Sequence, residues 1–335
     1  LWESGGLNMT AFCRNDPVNK IDPLGLAAYF FGGTHNSLDD AGWSNVEILY
    51  RAWDNSAGHG TAFYVPGVFS GYAPDSTPYT AKQKAGLLGE GIWGATLESR
   101  ADYMIGLLET QLKAGDKEVN VAGFSRGSLT SLVFLNKIAE QVKAKNPLYD
   151  GIEMNQTILF DTVAATKEKF PHELPSNLNY IHQPIHLIAL DEQRTAFFDE
   201  EVLNVQGALQ IGFRGVHANV GGGHRNNSLS REPLEFVRSM MEKSGMKVFR
   251  YPSMWRDMQR FGMMNGGSTP SDNDKFFYFM GHRTFPEGMF LSAGFQTNRR
   301  QLKNAVSGSL QFFSSEDQKS WLGRQRYIPG KGWSR

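Results

Sequence analysis

The chain has 335 residues, 40% of them hydrophobic and 20% charged, with 34 Lys+Arg balancing 34 Asp+Glu. This is the make-up of a folded globular protein, and it lacks the basic excess of a nucleic-acid binder, so no nucleic-acid partner is expected. The single cysteine, Cys13, excludes an internal disulfide and a cysteine-based zinc site, and no metal or other cofactor is expected.

Residues 1–26 read as loop and turn, marked by Gly5-Gly6, Asn15-Asp16-Pro17 and Asp22-Pro23-Leu24-Gly25. That opening is polar, with no signal peptide, and no apolar run along the chain is long enough to span a bilayer. Apolar character starts abruptly at Ala27, where AAYFFGG (27–33) reads as a short buried strand ending in glycines. TAFYV (61–65) is a second strand, closed by Pro66-Gly67. The stretch 81–112 is helical in character, with Tyr103, Leu107, Leu108 and Leu112 at helical spacing ahead of Gly115. In EVNVAGFSRGS (118–128), Val119 and Val121 alternate as in a strand, and an amphipathic helix runs on from Leu129. ILFDTVA (158–164) and HLIALD (186–191) are further strands, each ending in an aspartate. IGFRGVH (211–217) carries a histidine into the glycine turn VGGGH (220–224), and KVFRY (247–251) reads as a last strand. Strands alternating with helices predict an α/β fold: a mainly parallel central sheet flanked by helices. The aromatic and Gly-rich sequence 253–335 has too weak a periodicity to place.

Gly123-Phe124-Ser125-Arg126-Gly127 matches G-x-S-x-G between a strand and a helix. A nucleophilic serine there sits on a strained turn, and any side chain two residues to either side would strike the neighbouring strand or helix; hence Gly123 and Gly127. The helix N-terminus then aims free N–H groups at the reacting oxygen. A hydroxyl needs a general base, and the base needs an orienting carboxylate. His217, between an apolar run and glycines, is the best base; His224 is the runner-up, and His186 reads as scaffold. Asp161 and Asp191 both end strands, and spacing alone does not choose between them.

Four ordered segments carry a resemblance, GFSRG (123–127), FDTVA (160–164), HLIALDEQRTAFF (186–198) and FRGVHANVGGGH (213–224), and the early FFGGTHNS (30–37) adds to it. Together they resemble the DUF2235 α/β-hydrolases, a family that includes the Tle1 phospholipase effectors of type VI secretion. The resemblance implies an α/β-hydrolase-like fold, Ser125 as nucleophile, Asp161 as acid and His217 as base, with Asp191 in a supporting place. It also implies an oxyanion hole from the Arg126 N–H and a backbone N–H at Gly33 or Thr34. The family has Asp at the position of Gly33, Asp at that of Asn219 and Tyr at that of His224, so two carboxylates of its polar network are absent here.

NMTAFCRNDPVNKIDPLGL (8–26) resembles the end of an Rhs-repeat core, with a P-x-x-x-x-D-P-x-G-L junction. This implies two parts: residues 1–26, the end of a carrier shell cut after Leu26 with the help of Asp22, and residues 27–335, a hydrolase toxin. The implied activity is phospholipid acyl-ester hydrolysis through an acyl-serine. The implied partners are a membrane surface, the Rhs shell, type VI spike components and an immunity protein. The implied route is secretion from the producer cytoplasm to the envelope or periplasm of a target cell. A Met- and aromatic-rich stretch from Phe236 to Met264 suits acyl chains and suits core packing equally. A soluble-ester hydrolase, an acyltransferase and an inactive binding domain on the same fold are the alternatives.

Overall fold

The computed structural model describes residues 26–40, 43–53, 60–80, 83, 92–163, 173–189, 192, 205, 207–213, 215–223, 230–244 and four short strands between 290 and 334. The expected strand at 247–251, together with Asp22, Asp191 and His224, lies outside them.

In chain order the elements are β1 (Leu26–Phe31), α1 (Asn45–Ala52), β2 (Ala62–Val65), α2 (Ile92–Lys113), β3 (Glu118–Phe124) and α3 (Arg126–Lys143). They continue with β4 (Glu153–Phe160), β5 (Asn179–Tyr180), β6 (Ile185–Ala189), β7 (Leu209–Phe213), α4 (His217–Gly221) and α5 (Arg231–Lys243). Then come β8 (Phe290–Leu291), β9 (Gln311–Phe312), β10 (Arg326–Ile328) and β11 (Gly332–Ser334). The main sheet has the order β2-β1-β3-β4-β6-β7-β8-β9, with β5 beside β4. Every pairing in it is parallel. β10 and β11 form a separate antiparallel pair. The expected α/β fold with a mainly parallel sheet is what the chain adopts.

Both faces of the sheet are buried across its described side chains from β1 to β7, as parallel sheets require. Strand alternation divides β1 between them: Ala27, Tyr29 and Phe31 face a core shared with α2 and α3, and Ala28 and Phe30 face one shared with α1 and α5. On the first face Phe134 of α3 packs against Tyr29 and Phe31, with ring centroids 5.2 and 5.4 Å apart. On the second, Phe30 meets Trp53 edge-on at 5.9 Å. The buried stripe of α2 is Leu97, Ala101, Met104, Leu108 and Leu112. Tyr103, expected on that stripe, is instead 36% exposed. The i, i+4, i+7, i+11 series through Met104 is one helix face, and Tyr103 is rotated about 100° from it. Among the described helices none is long and apolar enough to cross a membrane.

One topological feature locates a site. From β1 the chain moves outward to β2, then returns to β3 on the other side of β1. The loops leaving the C-terminal ends of β1 and β3 therefore diverge and open a crevice, the usual place for ligands in such sheets.

Candidate active site

Ser125 stands at this crevice, between β3 and α3, with φ 60° and ψ −126°. That left-handed backbone is costly for a side chain bearing a Cβ and is held by the surrounding structure. The Ser125 N–H donates to the Phe160 carbonyl at 2.9 Å, tying the turn to the end of β4. Gly127 passes against the backbone carbonyls of Phe31 and Gly32, and Gly123 against the start of α3, so a Cβ at either position would overlap backbone atoms.

Asp161 follows β4 directly, also with a positive φ, 42°. Its Oδ1 accepts the Ala189 N–H at 2.8 Å, and its Oδ2 meets Nδ1 of His217 at 2.6 Å. A carboxylate only accepts, so the proton sits on Nδ1 and Nε2 is left as the basic nitrogen. His217 is the first residue of α4, just past β7, and is 7% exposed; Asp161 is 0% and Ser125 3% exposed. The imidazole lies against the Phe124 ring at 4.7 Å, and Phe124 is Ser125's immediate neighbour. Strands β3, β4 and β7 thus deliver Ser125, Asp161 and His217 from the same edge of the sheet.

The loop after β1 closes the other side. Arg126 Nη1 donates to Thr34 Oγ1 at 2.8 Å, joining this loop to the helix that Ser125 caps. Burial lowers the Arg126 guanidinium to about 10, so it remains a cation at neutral pH. The loop is braced from below: Gly67 packs on the Gly33 carbonyl, and Arg100 donates to the carbonyls of Pro66, Gly67 and Tyr72 at 2.7, 3.1 and 3.0 Å. A Cβ at Gly33 would meet Phe124 Cδ1 and Asn36 Oδ1, both at 2.6 Å, which explains why an aspartate has no room there.

Several site residues carried no usable signal in the sequence. Glu192, 2% exposed, accepts the backbone N–H of His217 at 3.0 Å. Asn219 Oδ1 accepts the Val216 N–H at 2.9 Å, so the amide fills the cap that precedes His217. Asn45 Nδ2 donates to the carbonyls of Val220 and Ser230 at 2.8 and 3.0 Å. Gly223 N–H reaches the Trp43 carbonyl at 3.1 Å, so α1 grips the glycine turn behind the histidine. His186 is scaffold, as expected: buried, with Nε2 accepting the Thr162 N–H at 3.1 Å and Nδ1 at 3.1 Å from Gln210 Oε1. That pattern puts its proton on Nδ1 and makes it a neutral brace for the residue after Asp161.

No group of three His, Cys, Asp or Glu side chains is placed to hold a metal among the described residues. A cavity of about 600 Å³, lined by Val142, Tyr149, Glu153 and Asn179, lies at the N-terminal edge of the sheet, opposite to Ser125.

No protein-family model matches the chain, and no curated protein matches it. Solved structures similar to it include the following two. One is an uncharacterised Pseudomonas aeruginosa protein, at 17% identity and a TM-score of 0.46, covering 72% of this chain and 48% of that one. The other is the Tle1 effector bound to the VgrG spike of a type VI secretion system, at 18% identity and a TM-score of 0.39, covering 62% of this chain and 52% of that one. The chain therefore spans about half the length of each, and likeness at this level carries nothing about activity.

Proposed function

We propose that this chain is a serine ester hydrolase working through Ser125, His217 and Asp161. The observation that carries the reading is the 2.6 Å contact between two buried groups, Asp161 Oδ2 and His217 Nδ1, at the strand ends beside a strained serine turn. A buried carboxylate on Nδ1 fixes the tautomer that leaves Nε2 basic and steadies the imidazolium. In the proposed reaction Nε2 takes the Ser125 proton as Oγ attacks the ester carbonyl. The tetrahedral oxyanion is met by the Arg126 N–H and a backbone N–H of Gly33 or Thr34. The imidazolium returns the proton to the leaving alcohol, which leaves an acyl-serine; water, activated by the same nitrogen, then releases the acid and restores Ser125.

Within this reading the substrate is a phospholipid acyl ester and the setting an interbacterial toxin. Support comes from the four ordered motifs and from the turn-rich sequence ahead of β1. Residues 1–26 would be the end of an Rhs shell cut at Leu26 with Asp22's participation, and residues 27–335 the toxin. A type VI spike would carry it, and an immunity protein would guard the producer.

The test is purified protein on vesicles of mixed phospholipids beside Ser125→Ala, with lipids identified by mass spectrometry. Free fatty acid and lysolipid are expected from the wild type alone. Hydrolysis of soluble esters but not vesicles would place it among soluble esterases. Acyl transfer to an added alcohol would mark an acyltransferase. No turnover of either would make it a binding domain. In cells, periplasmic expression should damage the envelope; equal killing by Ser125→Ala with unchanged lipids would sink the lipase reading.

A further inference from the structure

We propose that Glu192 is a second buried anion serving His217, a positioning residue that holds the histidine's main chain and adds negative charge beside its ring. Three observations lead there. The Glu192 side chain is 2% exposed, yet its Oε2 lies 3.0 Å from the His217 N–H. His217 is the first residue of α4, so its N–H is one of the donors that the helix itself leaves unpaired. Strand β6 is engaged twice at this spot: Ala189, its last residue, donates to Asp161 Oδ1 at 2.8 Å, and Glu192 follows three residues later. One strand end thereby sets both the acid that faces the ring and the carboxylate that faces the main chain.

A buried carboxylate needs a charged or strongly polar partner. When Nε2 accepts a proton, the imidazolium faces two carboxylates, Asp161 and Glu192, both hydrogen-bonded to its own residue. The elements packed most extensively on α4 are β6, α1 and α5, and β3 adds the Phe124 ring. Among the described side chains, their titratable groups are His186 on β6, Glu47, Tyr50 and Arg51 on α1, and Glu232, Glu235 and Arg238 on α5. Of these, His186 is a neutral brace, Arg51 sits over the Trp43 ring at 4.4 Å, and Arg238 pairs with Glu235 at 2.8 Å. Arg126 beside Ser125 opposes the two anions and is engaged with Thr34. Glu192 hydrogen-bonds His217 itself, as Asp161 does.

The inference rests on the hydrolase reading for its enzymatic arm only. Glu192→Gln keeps the size and an oxygen acceptor but removes the charge. In the full chain, the imidazole titration of His217, followed by its ring NMR signals without substrate, should move to lower pH by about one unit. In parallel, kcat should fall about tenfold at neutral pH with KM unchanged, and the acidic limb of the rate profile should move the same way. Glu192→Asp, which keeps the charge, should titrate close to wild type and recover most of kcat. A Glu192→Gln titration that superimposes on wild type would overturn the proposal and leave Glu192 a neutral hydrogen-bond acceptor. Should Glu192→Gln not fold, Glu192→Met, which also removes the charge, decides: a drop of about one unit supports the proposal, and an unmoved titration overturns it. Hydrolysis surviving Ser125→Ala would defeat the hydrolase reading alone, since the titration is read without turnover.

Discussion

At the scale of single residues, two carboxyl groups show how burial sets chemistry. Asp161 is fully buried, but both oxygens are hydrogen-bonded, one by Ala189 N–H and one by His217 Nδ1. Asp161→Asn should keep the fold and lose about 10⁴-fold in kcat, because an amide NH₂ facing Nδ1 selects the wrong tautomer; ester turnover with a thermal melt checks both parts. Glu47 is the opposite case. Burial pushes its carboxyl up from the ordinary 4.5 to about 7, against hydrogen bonds from Ser44 that favour the anion. Its folded value is raised, so between pH 4.5 and 7 the unfolded chain has lost a proton that the folded chain keeps. Stability should therefore fall as pH rises through that window, by roughly 3 kcal/mol at most. Glu47→Gln should flatten the fall, as read by urea unfolding at pH 5 and pH 7. The effect reaches the site because Ser44 and Asn45, at the start of the same helix, hold the turn behind His217.

At the scale of elements, glycines and caps decide whether the strand ends present the site. Gly127 has the carbonyls of β1 where a Cβ would go, whereas Gly106, mid-way along α2, has nothing within 4 Å. Gly127→Ala should cost about 3 kcal/mol or more and yield little folded protein. Gly106→Ala should instead stabilise by about 0.5–1 kcal/mol, since the helix loses only a flexible residue. A pair of melting curves checks both, and equal effects would contradict the packing described for the serine turn. Asn45→Ala leaves the carbonyls of Val220 and Ser230 without their shared donor. It should cost about 1–3 kcal/mol, with a larger proportional fall in kcat than in 1/KM, because the histidine turn is loosened and not the entry.

At the scale of the whole molecule, the strand that opens the described chain connects the proposed junction to the core. Leu26 begins β1, and the Ala27 N–H donates to Asp116 Oδ2 at 3.0 Å, with Asp116 7% exposed. A cut between Leu26 and Ala27 would turn that N–H into an ammonium facing the same carboxylate, exchanging a hydrogen bond for a buried ion pair. An α-amino group is a cation below roughly pH 7.7, so the pair is present at neutral pH and is lost as pH rises. Protein made to start at Ala27 should fold, and Asp116→Asn should lower its melting temperature further than it lowers that of the uncut chain below pH 7. Equal losses would show that Asp116 acts as a plain acceptor in both. Residues 1–26 should then be dispensable for hydrolysis, which the same two proteins test.

What the sequence determined by itself was local. Strand runs at 27–31, 62–65 and 118–124, the helix after Ser125 and the glycines around it follow from periodicity and from the sterics of a tight turn, and neighbouring residues carry both. The order of Ser125, Asp161 and His217 was readable because each ends an apolar run. The choice between Asp161 and Asp191 was not readable from spacing, since two aspartates at strand ends look alike; the Asp161 Oδ2–His217 Nδ1 contact, which reaches past β6 from the end of β4, exists only in the folded chain. Helix α1 went unread although Ser44 and Glu47 form a local capping box at its start; its grip on the histidine turn, Asn45 to Val220 across 175 residues, was not legible. Glu192 went unread because a glutamate in a polar stretch becomes a buried partner of His217 only when β6 and β7 lie side by side. Tyr103 was misread because α2 turns Met104, and not its neighbour, toward the sheet. Hydrogen bonds between residues far apart in sequence are set by sheet order and register, and these exist only once the whole core has assembled.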